Sequence, residues 1–305
     1  ALDHPHHLAP SGGMLLDLAR AGGEDALNQA LVATGLLPGD TAQYTSLELI
    51  ETPTEHAVIV RGHLAGDPEH FIATRYEVRP CEPGLRIRSE VVHRGRDPRT
   101  WALTDGWFWG GRDLVPFVPL PHTGFEHPSF GLTTVDDVWR DADYLAAASL
   151  SSDLSSGTSS TSGPSSSGPS SSGPSAGPFG PGPLGPSYAV VRCDARQVSG
   201  FHSDTISAVG TPRRLVPAGD YEVYERFVAV AEGRGPAPAI DVALEVRRQL
   251  HHEPWVTLEG TVTPTRTSTT PLPLAVTVLD GDTPRSATLV GPDGHFRLRG
   301  VSPSS

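Results

Sequence analysis

The residues best suited to chemistry crowd into one stretch, Trp101 to His127, which reads WALTDGWFWGGRDLVPFVPLPHTGFEH. It sets the rings of Trp101, Trp107 and Trp109 among Asp105, Arg112, His122, Glu126 and His127. Aromatic faces beside carboxylates suit sugar rings, which offer apolar C–H faces and hydroxyl edges. Gly106, Gly110 and Gly111 would let a ligand approach the backbone. These three tryptophans and five polar residues form the candidate ligand-binding set. The competing reading is an aromatic wedge in a core whose polar groups are satisfied internally. Asp105 with His122, Glu126 and His127 would also supply the acid–base couple that a glycosidase or mutarotase requires. As zinc ligands His122, Glu126 and His127 match no standard spacing, so neither a metal nor a cofactor is expected.

Other chemistries are excluded by residue type. All 23 basic residues are arginine, so Schiff-base catalysis and a P-loop lysine are ruled out. No G-x-S-x-G nucleophile elbow occurs. A formal net charge of −12 argues against nucleic acid or an anionic membrane as the main partner, because both select clustered positive charge. No run approaches the ~18 apolar residues of a membrane span, so no transmembrane segment is expected. The start, Ala1-Leu2-Asp3-His4, has neither the basic nor the apolar region of a signal peptide, and a mature secreted chain or an excised fragment would look the same.

These residues need a frame, and the frame reads as β. Pro 30 and Gly 33 make up about a fifth of 305 residues, against roughly 12% in ordinary chains, which leaves little room for long helices. Residues 43–51, 55–65, 70–79, 85–94, 188–193, 201–209 and 221–231 are strand-length runs rich in β-branched and aromatic residues. Their spacing and turn-forming borders predict an antiparallel β-sandwich. Two stretches carry helical periodicity: Glu24–Thr34, stopped by Gly35, and Ala239–Leu250, with Arg247 and Arg248 placed to suit the C-terminal dipole. The Ser/Gly/Pro-rich segment 150–187 holds too little apolar surface to offset the entropy of ordering. The organisation expected is an N-terminal helical or irregular segment (1–42), a β-sandwich (43–250) interrupted at 150–187, and a small β unit (254–305).

The hairpin around Cys81-Glu82-Pro83-Gly84 can be read further. Ile72, Thr74, Tyr76 and Val78 share one face, as do Leu85, Ile87, Ser89 and Val91. Opposite charges favour the register that sets Glu77 against Arg88 and Arg75 against Glu90 over one setting Glu77 against Glu90. Cys81 and Cys193 both fall at strand ends and are even in number, which makes them a candidate disulfide; two buried free thiols are the alternative.

Two family resemblances follow. The stretch VTLEGTVT…PLAVTVLDG…ATLVGPDGHFRLRGV is similar to the carboxypeptidase regulatory-like (transthyretin-like) repeat, with Gly260, Val262, Val276, Val278, Asp293, Gly294 and Phe296 at the motif's places and its last strand missing. The phrases RYEVRPCEPGLRIRSEVVHRG, DGWFWGGRDLVPFVP and YEVYERFVAVAEG resemble the galactose-mutarotase-like supersandwich that precedes a PHP-type hydrolase domain in CehA/McbA-type bacterial envelope proteins. That resemblance implies an extracytoplasmic accessory domain without the catalytic metal centre. The expectation is a noncatalytic secreted or envelope module for structural interaction or glycan binding, its partners a glycan or another envelope protein. Two other functions remain open: a carbohydrate-active enzyme, and a self-assembling envelope or filament component.

Overall fold

The computed structural model describes residues 14–15, 29–32, 42–64, 67–109, 114–120, 124–126, 138–149, 185–202, 206–233, 235–263 and 274–301. The first strands are β1 (Met14–Leu15), β2 (Gln29–Leu31), β3 (Ala42–Thr52), β4 (Glu55–Leu64), β5 (Asp67–Val78), β6 (Gly84–His93), β7 (Arg99–Trp101) and β8 (Thr104–Phe108). There follow β9 (Leu114–Leu120), β10 (Gly124–Glu126), β11 (Val138–Ala142), β12 (Leu145–Ser149), β13 (Pro186–Arg192), β14 (Val198–His202), β15 (Ile206–Gly210), β16 (Arg214–Val216) and β17 (Tyr221–Glu232). The helix α1 (Pro236–His251) precedes β18 (Val256–Thr261), β19 (Ala275–Asp280), β20 (Thr283–Leu289) and β21 (His295–Val301).

Nine strands form the larger sheet, in the order β10-β9-β12-β13-β17-β6-β5-β4-β3, and six form a second, β1-β2-β8-β15-β14-β11. The six-stranded sheet covers one face of the nine-stranded one, so the architecture is an antiparallel β-sandwich. Trp107, Trp109, Val198 and Val209 from the smaller sheet meet Ile72, Ile87, Tyr188, Val190, Tyr224 and Val228 from the larger. Alternation then puts Ala146, Ala148, Ala189, Val191, Phe227 and Ala229 on the opposite face, where α1 buries Ala239, Ile240, Ala243 and Val246 against them. With both faces covered, β13 is buried from Pro186 to Val191, and its Tyr188–Val191 stretch reads as a continuous apolar run rather than an alternating one. The alanines on the helix side keep that face shallow enough for α1 to pack closely.

The helix begins with Pro at its first turn, which loses no hydrogen bond there, and ends at His252 in the left-handed conformation, φ 54°. Its range contains the predicted Ala239–Leu250. The other predicted helix, Glu24–Thr34, is overturned where it is described: Gln29–Leu31 is a strand on β8, because an open sheet edge offers hydrogen bonds that outweigh weak helical periodicity. The segment 150–184 and most of 1–42 lie outside the described residues. In the tail, β18 pairs with β21 and β19 with β20. The predicted Asp293-Gly294 turn joins β20 to β21, with Gly294 at φ +81°. Ala287 of β20 packs into the apolar layer beneath α1.

The hairpin β5–β6 keeps the predicted faces but not the predicted register. Glu77 stands opposite Arg86, and Arg75 opposite Arg88. The slip moves the centre of the turn by one residue toward the N-terminus, from between Glu82 and Pro83 to between Cys81 and Glu82. The like pair is tolerated because each arginine finds carboxylates elsewhere: Arg75 binds Glu55 and Glu77, and Arg88 lies 3.6 Å from Glu90. The disulfide is likewise corrected: Cys81 and Cys193 are free thiols. Cys193 N–H donates to Glu225 O, and Glu225 pairs with Arg88, so Cys193 lies level with Arg88 and two strands away. Cys81 lies beyond Gly84, four residues further down β6, which is roughly 13 Å along the strand and about 10 Å across it. A bridge requires Cα atoms within ~7 Å.

Candidate functional site

The structure divides the sequence-derived cluster among several places. Asp105, Trp107 and Trp109 alternate onto the core-facing side of the small sheet. Trp107 is 0% exposed and Trp109 3%, their rings stacked 5.9 Å apart, and Trp109 Nε1–H donates to Ser207 Oγ at 2.8 Å. They form the core wedge that the sequence also allowed, out of reach of a ligand. Asp105 accepts two bonds of 2.7 Å from Arg226 Nε and Nη2, and neither side chain is exposed. Burial opposes the Arg226 charge, but Asp105, with Tyr224 and Tyr76 adding to it, holds the guanidinium above its ordinary pKa. The polar thread continues from Arg226 Nη1 to Ser89 Oγ (2.9 Å), then to Thr74 Oγ1 (3.1 Å) and the Tyr44 hydroxyl (3.3 Å). Trp101 is set apart, against His70 and His93. Arg112, His122 and His127 lie outside the described residues, and Glu126 is in β10 with its side chain outside them.

The described surface holds a different candidate, a cleft of about 520 Å³ where the end of α1, the corner between β11 and β12, and the β19–β20 hairpin converge. Arg247 organises it. The helix turns this side chain inward, where it is 5% exposed. Its Nε and Nη2 donate to the two Glu253 carboxylate oxygens at 3.1 and 2.6 Å. Its Nη1 donates to the carbonyls of Asp143 (2.6 Å) and Arg196 (2.5 Å). Arg285 completes the rim, donating to Asp143 Oδ2 at 2.7 Å and to Asp280 Oδ2 at 3.0 Å. Beside them lies the half-buried ring of Trp255. Its Nε1–H is buried and has no hydrogen-bond partner among the described residues. On the outer side the Arg248 guanidinium sits 5.7 Å from that ring.

The left-handed residue His252 makes this arrangement possible, because it reverses the chain after α1 and returns Glu253 and Trp255 beside Arg247. Three arginines and three carboxylates line the cleft, so its charge is balanced. Sequence reasoning missed it, taking Arg247 for a residue that only served the helix dipole. Asp143, Glu253, Asp280 and Arg285 come from separate segments with no shared spacing. The one available signal was Trp255, a large ring at the start of a strand that carries little else to bury.

No family model matches the sequence, and no curated protein matches it. Solved structures similar to the chain include a galactose mutarotase-like protein from Lactobacillus casei (11% identity, 72% of this chain and 82% of that one, TM-score 0.36). Another is the GH36 α-galactosidase AgaA of Geobacillus stearothermophilus (9% identity, 75% of this chain and 32% of that one, TM-score 0.40). A third is a TPR-domain containing protein from Parabacteroides distasonis (7% identity, 61% and 34%, TM-score 0.38). The chain spans about a third of the length of the α-galactosidases it matches. At such identities and TM-scores these likenesses assign neither ligand nor activity to this chain.

Proposed function

We propose that the chain is a noncatalytic, extracytoplasmic β-sandwich module that binds an uncharged glycan in the Trp255 cleft. The observation that carries this reading is the pairing of one aromatic face with a ring of fixed, charge-balanced donors and acceptors. A sugar needs both: a flat apolar surface for its C–H face and planar polar groups for its hydroxyls. A net-neutral lining favours a neutral ligand over an acidic or basic one. The volume falls within the range of ordinary ligand pockets. Asp143, Glu253 and Asp280 are each engaged by an arginine, so their oxygens are already committed as hydrogen-bond acceptors in a fixed frame. That supports binding over hydrolysis. The Ser/Pro-rich segment 150–187 and the resemblance to envelope accessory domains support the location, and the motif of the tail supports a transthyretin-like appendage.

A glycan array followed by calorimetry tests this reading, with Trp255→Ala as the control. Sugar binding that Trp255→Ala abolishes, without product formation, is the expected result. Turnover lost in Glu253→Gln would make the cleft catalytic, and binding unchanged in Trp255→Ala would place the ligand elsewhere.

A further inference from the structure

A second cluster of chemistry-bearing side chains lies far from the cleft in sequence, where β5 begins and β6 ends. The sheet register places His70 directly opposite His93. The two imidazoles stack with centroids 4.5 Å apart and planes 3° from parallel, and both are buried, 2% and 1% exposed. Trp101 of β7 meets both rings edge-on, 4.3 Å from His70 and 5.8 Å from His93. Across from Trp101 lies Arg214 of β16, so the stack sits beneath the two-stranded ribbon β7–β16.

Hydrogen bonding fixes the state of His93. Its Nε2 is 2.6 Å from the Asp97 carbonyl, which only accepts, so Nε2 carries the hydrogen. Gly95 N–H donates to Nδ1 at 3.3 Å, so Nδ1 is bare. The turn from β6 to β7 is thus wound around a neutral imidazole. His70 differs: Nε2 has no partner among the described residues, and Nδ1 lies 2.8 Å from Asp67 Oδ2.

The charged groups around the stack oppose one another. From β5 come Asp67 and Glu69, and Glu69 Oε2 and the edge of the His93 ring converge on Gly95. From β7, Arg99 lies 3.6 Å from Asp67. Arg94, the first residue after β6, is turned away, its guanidinium 4.0 Å from the centre of the Phe71 ring. Asp97 presents its carbonyl, and the turn before β17 presents the Asp220 carbonyl to His93 N–H. Arg214 is drawn toward Glu222, 3.6 Å away.

We propose that the His70–His93 stack is an acid-released latch that holds the β6–β7 turn and the β7–β16 ribbon on the main sheet while both rings are neutral. A proton on His93 Nδ1 would set an N–H against the Gly95 N–H and break the winding of the turn. A proton on each ring would set two cations 4.5 Å apart in a buried site. Burial holds His70 below its ordinary pKa, with Asp67 opposing and His93 and Arg99 adding to the shift. A folded-state pKa below the unfolded one means that the contribution is complete above the ordinary imidazole range and declines as pH falls through it. The latch is therefore closed at neutral pH and opens on acidification.

The test is hydrogen exchange on the full chain from about pH 7.5 down to about pH 5, corrected for intrinsic rates, with histidine ring NMR on the same samples. Amides of 94–101 and 214–216 should lose protection by about tenfold per pH unit per proton taken up. Those of β13 should hold. Trp101 emission, isolated as wild type minus Trp101→Phe, should follow the same curve as the His70 and His93 ring signals. In His70→Phe/His93→Gln, which keeps a flat ring and an amide donor toward Asp97, the pH dependence should vanish. Protection that stays flat until global unfolding, or rings that titrate without any change in 94–101, would overturn the proposal. Should the double variant not fold, the correspondence of ring titration and exchange in the wild-type chain still decides it.

Discussion

Arg226 on β17 and Asp105 on β8 join the two sheets through a two-pronged ion pair with no solvent exposure on either side. Asp105 stands in the aromatic stretch that looked like a binding site, and Arg226 stands in a run otherwise made of core residues. Each makes the other possible. An isolated buried charge is prohibitively costly, whereas a paired guanidinium with further bonds to Ser89 Oγ and the Tyr224 carbonyl is satisfied. The pair also specifies alignment, because it fixes β8 against β17 at one point inside a sandwich of largely interchangeable aliphatic contacts.

Asp105→Asn should therefore destabilise the fold by about 3–5 kcal/mol, as expected when one partner of a buried pair is removed. Arg226→Met/Asp105→Leu, which removes both charges, should recover much of that loss. Urea unfolding of the two variants checks the expectation. A cost for Asp105→Asn no larger than that of an average surface substitution would show that the pair is not the tie described.

The two thiols should behave differently. Cys81 is exposed in its turn, whereas burial pushes the Cys193 thiol up to about 12, with Glu225 adding to it. Only the thiolate attacks, so in the native protein Ellman's reagent should modify Cys81 promptly and Cys193 slowly. Both should react in unreduced, denatured protein. A denatured sample without free thiols would restore the disulfide.

How far the sequence carried depended on the range of the interaction. The faces of β5 and β6 were legible because side chains alternate with period two whatever the partner strand. Their register was not, since the charge rule weighed only Arg75, Glu77, Arg88 and Glu90, while the sheet also brings Glu55 and Glu225 alongside. The helix α1 was legible from Ile240, Ala243 and Leu244 at helical spacing. Residues 29–31 were not, because β2 exists only by virtue of the edge of β8. Trp101, Trp107 and Trp109 looked like one site because they are close in sequence. Yet Trp101 belongs to β7 and packs on His70 and His93, while the other two enter the core. The cleft was hidden for the opposite reason: Asp143, Arg247, Trp255 and Arg285 are neighbours only after folding.

The segment between β12 and β13 should be replaceable. These strands are antiparallel neighbours, Ala147 opposite Tyr188 and Leu145 opposite Val190, so Ser149 and Pro186 end side by side. Gly235 N–H donates to Ser149 O and Gly233 N–H to Gly185 O, which anchors both ends independently of what joins them. Exchanging 150–184 for a short Gly-Ser turn should leave the melting temperature nearly unchanged, because closure entropy grows only with the logarithm of loop length. A large drop measured by calorimetry would mean that the segment contributes contacts of its own.

Arg247 is the sharpest test of how the cleft is built. Its guanidinium links α1 to Glu253, to the Asp143 carbonyl and to the Arg196 carbonyl, so Arg247→Met strands three acceptors at once. Glu253 keeps some access to water, which softens the penalty, and the expected loss is about 1–3 kcal/mol. A second consequence concerns pH. His251 lies one helical turn on, its Nε2 3.0 Å from the Arg192 carbonyl. Burial holds its pKa below the ordinary value and the Arg247 charge lowers it further, while the Arg192 carbonyl and Glu253 pull the other way. With the folded value below the unfolded one, the wild-type protein loses stability here as pH falls through the imidazole range. Removing the Arg247 charge lets His251 accept a proton more readily in the folded state, so that particular acid loss shrinks. The destabilisation caused by Arg247→Met should thus be larger at about pH 7.5 than at about pH 5. Unfolding curves for the two proteins at both pH values measure the difference. A destabilisation that grows on acidification would mean that Arg247 does not repel the His251 cation, contrary to the geometry described.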